Sequence, residues 1–301
     1  MTIHPQTSVG QVHLTVADLD RSVAFYTDIL GFRNPERDAA SAVLTANGEE
    51  PLVTLTEEGG AQPQPTGTTG LYHFAIQVPS RAALGRSLQH LLETGYPLSG
   101  ASDHFVSEAL YLNDPDGNGI EIYRDRPRVK WPARDGLVQM GNAQLDTPGI
   151  LADAVQEGHA WAGLAPETRI GHIHLHVGDL ATAEEFYVGV LGFDVMLRLA
   201  GQALFISAGG YHHHIGLNTW AGVGAPPPPS GSAGLRDYAI EVPDAAALEE
   251  VLAQLDRADV LCERNATSAA LRDPWGNGIV IRSLAVDDTE ESESGLTFQQ
   301  A

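Results

Sequence analysis

The sequence predicts an α+β fold made of four copies of a small module, each opening with a strand, continuing with a helix and closing with further strands. The first supporting observation is an internal repeat, because residues 9–32 align without a gap with residues 170–193. Two shorter repeats have the same order along the chain: 71–80 with 235–244, and 114–122 with 273–281. The first module therefore resembles the third, and the second resembles the fourth.

The second observation is a regular change of hydrophobic period within each module. Apolar and polar residues alternate in stretches such as QVHLTV (11–16), as in a strand that is buried on one face. A serine or acidic residue then precedes apolar positions with helical spacing. The predicted helices are 20–30, 80–94, 182–191 and 244–255. Turns rich in Gly, Asn and Pro separate the two or three strands that close each module.

The repeats also predict the domain organisation. Two modules form a domain at residues 8–127, and two more form a domain at residues 168–285. Residues 128–167 are predicted to be a bridge between the domains, and the acidic tail at 286–301 has the composition of a disordered segment.

Composition limits the classes of partner. A formal net charge of -22 argues against nucleic acid, whose phosphates require clustered Lys and Arg. No apolar run reaches the roughly 18 residues of a membrane helix, and the N-terminus has no signal-peptide pattern. The single cysteine, Cys262, fits a reducing compartment. We therefore expect a cytoplasmic protein that binds neither nucleic acid nor membrane. We also expect it to form a homo-oligomer.

Three features together resemble a known group of proteins. These are the four-module layout, the D-L-x5-F-Y spacing after the first and third modules' opening strands, and the DPxGNGI motif near the end of the second and fourth. Over residues 9–284 the chain resembles the vicinal oxygen chelate superfamily and, within it, proteins like catechol 2,3-dioxygenase. The resemblance implies βαβββ modules in two halves, paired into cupped mixed β-sheets that surround a metal, with helices outside.

In that superfamily the metal ligands come from the first and last strands of the modules. Aligned first strands place four residues at the ligand position: Gln11, His73, His172 and Asp237. The corresponding last-strand residues of the second, third and fourth modules are Glu121, His213 and Val280. Because only the second and third modules together supply two histidines and a carboxylate, we expect the ligands to be His73, Glu121 and His172.

Two imidazoles and one carboxylate with open positions opposite them are typical of non-haem Fe(II) oxygenases. Fe(II) is therefore the expected cofactor, and Mn(II) would fit the same ligands. His174 and His176 share a strand face with His172, so each is an alternative to it as ligand.

The triple histidine in GGYHHHIGLN (209–218) adds a candidate for proton transfer. If the run continues the following strand, His213 shares a face with Ile215 and the metal, whereas His212 and His214 lie on the opposite face. An imidazole in this position suits a general acid and base.

Residues 103–121, DHFVSEALYLNDPDGNGIE, resemble the extradiol dioxygenase signature. By this resemblance, His104 and Tyr111 hydrogen-bond the substrate oxygens and the ring-cleavage intermediates, and Glu121 binds the metal. Ser102 departs from the residue expected two positions before the histidine. A larger departure is the pairing, because familiar extradiol enzymes build the site from their third and fourth modules.

The expected function is Fe(II)-dependent extradiol cleavage of a catechol-like aromatic diol by O2, which yields a muconic semialdehyde. One alternative is a metal-dependent isomerase or lyase of the glyoxalase type. The other is a metal-free small-molecule binding protein of the same fold, although the His, His and Glu set argues against it.

Overall fold

Four βαβββ modules follow one another in the computed structural model, which describes residues 2–134 and 137–284. The first contains β1 (Ser8–Val16), α1 (Leu19–Ala24), β2 (Arg33–Arg37), β3 (Ser41–Thr45) and β4 (Pro51–Glu57). The second contains β5 (Gly70–Gln77), α2 (Arg81–Thr94), β6 (Gly100–Asp103), β7 (Ser107–Asn113) and β8 (Gly119–Asp125). The predicted tail at 286–301 lies outside the described residues.

The bridge and the last two modules complete the chain. The bridge contains a short turn (Arg128–Lys130), β9 (Ala133–Arg134), β10 (Leu137–Val138) and α3 (Thr147–Glu157). The third module contains β11 (Arg169–His176), α4 (Leu180–Glu184), β12 (Asp194–Leu199), β13 (Ala203–Ser207) and β14 (Ile215–Asn218). The fourth contains β15 (Gly234–Val242), α5 (Ala245–Arg257), β16 (Glu263–Arg264), β17 (Ser268–Arg272) and β18 (Gly278–Ser283).

The modules pair across the bridge into two mixed sheets of eight strands. The first sheet, in the order β16-β17-β18-β15-β1-β4-β3-β2, joins the fourth module to the first. The second, in the order β12-β13-β14-β11-β5-β8-β7-β6, joins the third module to the second. The predicted α+β fold is confirmed, and the second and third modules share a sheet as the ligand chemistry predicted. Each sheet thus contains one module from each half of the sequence.

The opening strands of two modules meet at the centre of each sheet. β11 pairs antiparallel with β5, and each has the last strand of its own module parallel on its other side, β14 or β8. The first sheet has the same plan, with β1 and β15 between β4 and β18. First-strand and last-strand residues of two modules are therefore neighbours at the centre of one sheet.

Helices α2 and α5 begin where the sequence predicts, because Ser80 and Asp244 cap their first turns with the side-chain oxygen. Helices α1 and α4 begin slightly before the predicted starts at 20 and 182, because Asp18 and Asp179 are their caps. In the first and third modules the predicted continuous α-helix is wrong. A π-helical turn replaces its second half, at Phe25–Ile29 and Glu185–Val190. Each π-helical turn buries two consecutive aromatic residues, Phe25 with Tyr26 and Phe186 with Tyr187. No helix within the described ranges is long and apolar enough to cross a bilayer.

The bridge packs against the second module. Helix α3 lies on α2, and Arg81 of α2 bonds to the Asp146 and Asp153 carboxylates at 2.9 and 2.8 Å. Further along, Trp161 stacks on the His90 ring at 4.3 Å between centroids. These contacts attach the connection to the module that carries two of the predicted ligands.

Candidate metal centre

The three predicted ligands lie on adjacent central strands of the second sheet. His172 is on β11, His73 on β5 and Glu121 on β8. The register aligns His172 with Ala75 and Ala75 with Glu121, so these residues form a row across one face. His73 precedes Ala75 by two residues and therefore shares that face. The small Ala75 side chain leaves room above it for the three longer ones.

Both imidazoles direct Nε2 toward the same carboxylate oxygen. Glu121 Oε2 is 3.1 Å from His73 Nε2 and 3.2 Å from His172 Nε2, and all three residues are buried. One ligand atom from each residue lies within 4.8 Å of the others. Within residues 2–134 and 137–284, no other group of His, Cys, Asp and Glu converges in this way.

Two buried nitrogens of this cluster, His73 Nε2 and His172 Nδ1, lack a hydrogen bond. His73 Nε2 is buried and close to Glu121, but its geometry gives it no hydrogen-bond partner. Leaving a buried polar atom without a partner costs about 1–3 kcal/mol. A metal ion between the imidazoles and the carboxylate would use this lone pair. The donor set of two nitrogens and one oxygen therefore fits a divalent transition metal.

The pKa values of the cluster favour metal binding as well. Burial by itself raises the pKa of the Glu121 carboxyl, but the adjacent His172 and His73 outweigh burial and hold it well below its ordinary value. Burial lowers the pKa of His172 by more than Glu121 raises it. At neutral pH the cluster thus offers a carboxylate and a neutral imidazole, the protonation states that bind metals.

The two residues of the extradiol signature lie beside the cluster. Tyr111 on β7 is opposite Glu121, and its ring centroid is 5.6 Å from that of His73. His104 Nδ1 is 2.9 Å from the Gly141 carbonyl, which can only accept, so His104 Nε2 accepts from the Tyr111 hydroxyl at 2.7 Å. Burial and the Glu121 charge raise the pKa of Tyr111 well above its ordinary value, so the phenol keeps its proton.

The histidine run differs from its predicted structure. Strand β14 begins only at Ile215, so residues 211–214 form a loop in which strand alternation does not apply. His213 nevertheless lies beside the cluster, with its ring centroid 4.1 Å from that of His172. The prediction that His212 faces away is wrong, because this fully buried ring lies 4.8 Å from His213 and 6.1 Å from His172.

His214 is the member of the run that turns away from the cluster. Its Nδ1 accepts a hydrogen bond from the Ala208 backbone N–H at 3.1 Å and lies 3.2 Å from the Ser207 hydroxyl, which donates to the Ala208 carbonyl. Burial first, and then the neighbouring His212, lower the pKa of His214 to about 3. This imidazole therefore joins β13 to the loop in its neutral form.

An aromatic wall adjoins the cluster and was not predicted from the sequence. A bulge in β5 between Leu71 and His73 accommodates Tyr72 as an extra residue, with its ring 5.0 Å from the His73 ring and 5.2 Å from that of Trp220. Tyr72 and Trp220 are 40% and 44% exposed. Simple strand alternation would put Tyr72 on the face of β5 opposite to His73, so no periodic signal could have identified it.

The alternative ligands lie at this wall and not at the carboxylate. The His174 ring is 5.1 Å from that of Tyr72 and 5.3 Å from that of Trp220. His176 Nδ1 is 2.7 Å from Asn218 Oδ1. Gly216 lies beneath His174, and a Cβ at this glycine would be 2.8 Å from the ring.

The equivalent position of the first sheet is closed by internal hydrogen bonds. Gln11 Nε2 donates to the Thr54 hydroxyl at 2.6 Å. His13 Nδ1 is 3.2 Å from Asp237 Oδ2, and its Nε2 is 2.7 Å from the Thr56 hydroxyl. Two of the aligned ligand positions, Gln11 and Asp237, therefore belong to a polar cluster of different composition.

Comparison with known proteins agrees with this geometry. The family model described as the Glyoxalase/Bleomycin resistance protein/Dioxygenase superfamily matches residues 8–122 and 169–281. The chain belongs to this superfamily. Catechol-2,3-dioxygenase of Bacillus subtilis (strain 168) is 46% identical over 276 residues, which cover 91% of this chain and 96% of that protein. Biphenyl-2,3-diol 1,2-dioxygenase 3 of Rhodococcus globerulus is 31% identical over 42% of this chain and 66% of that protein.

Solved structures show the same superfamily fold. A protein of Bacillus subtilis subsp. subtilis str. 168 superposes with a TM-score of 0.63 at 13% identity, covering 94% of this chain and 86% of that chain. Glyoxalase I from Zea mays superposes with a TM-score of 0.53 at 20% identity, covering 92% and 93%. In this superfamily member, His73 and Glu121 come from the first matched segment and His172 from the second.

Proposed function

We propose that this member of the superfamily is an Fe(II)-dependent extradiol dioxygenase that cleaves a catechol-like aromatic diol with O2. The observation that carries the proposal is the convergence of His73, His172 and Glu121 with a further histidine, His213, against them. This ligand set leaves coordination positions free for a diol and O2. The 46% identity to a named catechol-2,3-dioxygenase over most of both chains supports the same reaction class.

Iron held by these three residues would act as a Lewis acid toward the diol hydroxyls and would bring O2 next to the ring. Mn(II) would bind through the same atoms, and we propose Fe(II) because two histidines and one carboxylate are typical of iron oxygenases. The negative charge of Glu121 would offset part of the charge of the ion.

The protein's own residues would handle protons. Burial lowers the pKa of His213 well below its ordinary value, so its ring is neutral and free to take a proton from the diol. The Tyr111 hydroxyl keeps its proton and donates it to His104 Nε2, so toward the substrate it would accept a hydrogen bond from a diol hydroxyl. These roles require each side chain to touch the substrate, and all three surround the ligand cluster.

The aromatic wall suits a flat substrate. The half-exposed Tyr72 and Trp220 rings can contact an aromatic ring and exclude water from the centre. Aromatic pairs add about 0.5–1.5 kcal/mol beyond the area they bury. This wall supports an aromatic diol over an aliphatic substrate.

Anaerobic reconstitution tests the proposal. The purified chain is loaded with Fe(II), mixed with catechol and exposed to air, and the yellow ring-cleavage product is followed by its absorbance. We expect product with the natural chain and with Asp237→Asn, and none with Glu121→Gln. Oxygen-independent isomerisation of a glutathione hemithioacetal, without ring cleavage, would favour the glyoxalase-type alternative. Ligand binding without metal would favour the binding-protein alternative.

A cytoplasmic location and a homo-oligomeric state stay predictions of this proposal. Cell fractionation and analytical ultracentrifugation of the full chain would check them.

A further inference from the structure

A chain of hydrogen bonds with a fixed direction runs from Arg169 to the histidine run. The Arg169 guanidinium can only donate, and its Nε is 2.5 Å from Gln77 Oε1. The Gln77 amide is thereby oriented with its nitrogen toward Asp125, and Nε2 donates to Asp125 Oδ2 at 2.6 Å. Asp125 Oδ2 also accepts from the Tyr211 hydroxyl at 2.8 Å. This carboxylate oxygen is therefore held between two donors.

The other oxygen of Asp125 faces the histidines. His212 Nε2 is 2.9 Å from Asp125 Oδ1, and His212 Nδ1 is 2.8 Å from His213 Nδ1. A carboxylate accepts hydrogen bonds, so His212 carries its proton on Nε2 and presents a lone pair at Nδ1. With the His212 Nδ1 lone pair as acceptor, His213 donates from its own Nδ1. Its lone pair consequently lies on Nε2.

We propose that Asp125 and His212 are positioning residues that fix the tautomer of His213, so that its Nε2 is the proton acceptor of the site. Neither residue belongs to the converging ligand cluster, and both act through His213, whose ring lies against His172. The inference rests on the proposed function for the role of His213, but the tautomer order itself does not. It also explains why His212, expected to face away, is fully buried.

The far end of this network reaches solvent. Arg169, Gln77, Asp125 and Tyr211 line a groove of about 860 Å3 between the two sheets, and the three ligands of the metal cluster do not line it. Trp131 of the bridge lies over the pair, with ring centroids 5.8 Å from Tyr211 and 5.3 Å from His212. The network thus connects this groove to the Nδ1 side of His213.

An Asp125→Asn substitution should reverse the donor and acceptor roles along the histidine part of the network without changing the size or shape of the side chain. The two donors at Oδ2, Gln77 and Tyr211, will hold the new amide oxygen, so the amide NH2 faces His212 Nε2. His212 must then accept at Nε2 and donate from Nδ1, and His213 must accept at Nδ1 and carry its proton on Nε2. The acceptor of the site is thereby lost.

Two measurements test this assignment of the histidine tautomers. The first is 15N–1H NMR of histidine-labelled protein, in metal-free and Zn(II)-loaded forms, which distinguishes the two imidazole tautomers. We expect His213 with its proton on Nδ1 in the natural chain and on Nε2 in Asp125→Asn. The second is turnover, which should fall by roughly 10²–10⁴-fold in Asp125→Asn, as for the loss of a general base, with KM and metal content retained. Asp237→Asn, which removes a similar carboxylate–histidine contact in the first sheet, is the matched control and should change neither result.

A double-variant cycle separates positioning from general damage. In a His213→Ala background, Asp125→Asn should cause less than about a twofold further loss, because two residues that act as one unit are not additive. His213 protonated on Nε2 in the natural chain, a doubly protonated His212, or full activity of Asp125→Asn would each overturn the proposal. If the NMR spectra show the expected tautomers but the natural chain cleaves no diol, the tautomer assignment stands and the proposed function fails.

Discussion

Glu121 determines the electrostatics of the candidate metal centre, because a single carboxylate oxygen lies within 3.2 Å of both imidazole nitrogens. With burial opposing its charge, this carboxylate remains ionised only because His172 and His73 are next to it. A metal ion would satisfy the same charge and the unpaired His73 nitrogen together.

Glu121→Gln should therefore weaken metal binding with little change in shape. We expect the affinity to fall by more than about 100-fold, since even hydrogen-bond partners of metal ligands contribute about 10–100-fold. Metal titration by calorimetry and metal analysis of the purified variant measure the loss. Asp237→Asn is the control, because Asp237 is a carboxylate at the aligned position of the first sheet. Full metal occupancy in Glu121→Gln would contradict the assignment.

We predict that His213 is required for turnover but not for metal binding. His213→Ala should retain metal, because its ring adjoins His172 without belonging to the converging cluster. Turnover should fall by roughly 10²–10⁴-fold, the usual contribution of a general acid or base. Stopped-flow absorbance under saturating diol gives the rate, with the exposed His159→Ala as control. Loss of metal in the variant would show that His213 is a ligand.

At the scale of elements, the contact between α2 and α3 depends on a glycine inside a helix. Gly85 lies in the middle of α2, where glycine costs about 1 kcal/mol relative to alanine. A Cβ at this position would be 2.8 Å from the Ala154 Cβ and closer still to the Ile150 carbonyl of α3. The close approach of the two helices requires a residue without a side chain.

Gly85→Ala should destabilise the protein despite its better helix propensity. Displacing a packed helix costs about 1–3 kcal/mol, more than the roughly 1 kcal/mol that alanine contributes. Urea unfolding followed by circular dichroism should show a net loss of up to about 2 kcal/mol. Gly59→Ala, whose Cβ would meet nothing within 4 Å, should be neutral or slightly stabilising. A more stable Gly85→Ala variant would show that α3 does not pack this closely.

The hydrogen bonds that join His214 to β13 predict a dependence of stability on pH. The imidazole has a pKa of about 3 when folded and an ordinary value near 6.5 when unfolded, so below pH 6.5 the unfolded chain binds a proton that the folded chain does not. This contribution is complete above pH 6.5 and is lost progressively as the pH falls toward 3. The loss is about 1.4 kcal/mol per pH unit, or about 2 kcal/mol at pH 5.

His214→Asn should remove that part of the pH dependence. The Asn oxygen can accept from the Ala208 N–H in place of Nδ1 and does not titrate. Urea unfolding of the chelator-treated protein at pH 7.5 and pH 5 gives the two free energies of unfolding. The natural chain should lose about 2 kcal/mol more than the variant. An equal loss in both would contradict a buried neutral His214, and His159→Asn should behave like the natural chain.

At the scale of the whole molecule, the sheets join the two halves of the sequence. The β1–β15 and β5–β11 pairs both connect a strand before the bridge to a strand after it. The candidate ligands divide in the same way, with His73 and Glu121 before the bridge and His172 after it. Sequence halves and structural sheets are therefore different divisions of this chain.

Separate expression of residues 1–130 and 165–301 tests this arrangement. Each half lacks one strand of each central pair and at least one candidate ligand. Neither half alone should therefore bind iron tightly. Mixing the halves should restore part of the binding, as measured by metal content after size-exclusion chromatography. A metal-replete, active N-terminal half would show that the first two modules form the site by themselves.

The sequence determined the module repeat and the order of strands and helices within each module, because period-two alternation and capping are local. The superfamily resemblance, applied to those strands, pointed to His73, Glu121 and His172 as candidate ligands. It did not determine the π-helical turns or the Tyr72 bulge, since each inserts one residue and shifts every later side chain by one position. Only the tertiary structure decided the orientations of His212 and His214. A loop has no period, so its side chains follow from their partners. His214 contacts Ala208 and Ser207 of its own module, whereas His212 contacts Asp125, which is 87 residues away and becomes a neighbour only when the two halves form one sheet.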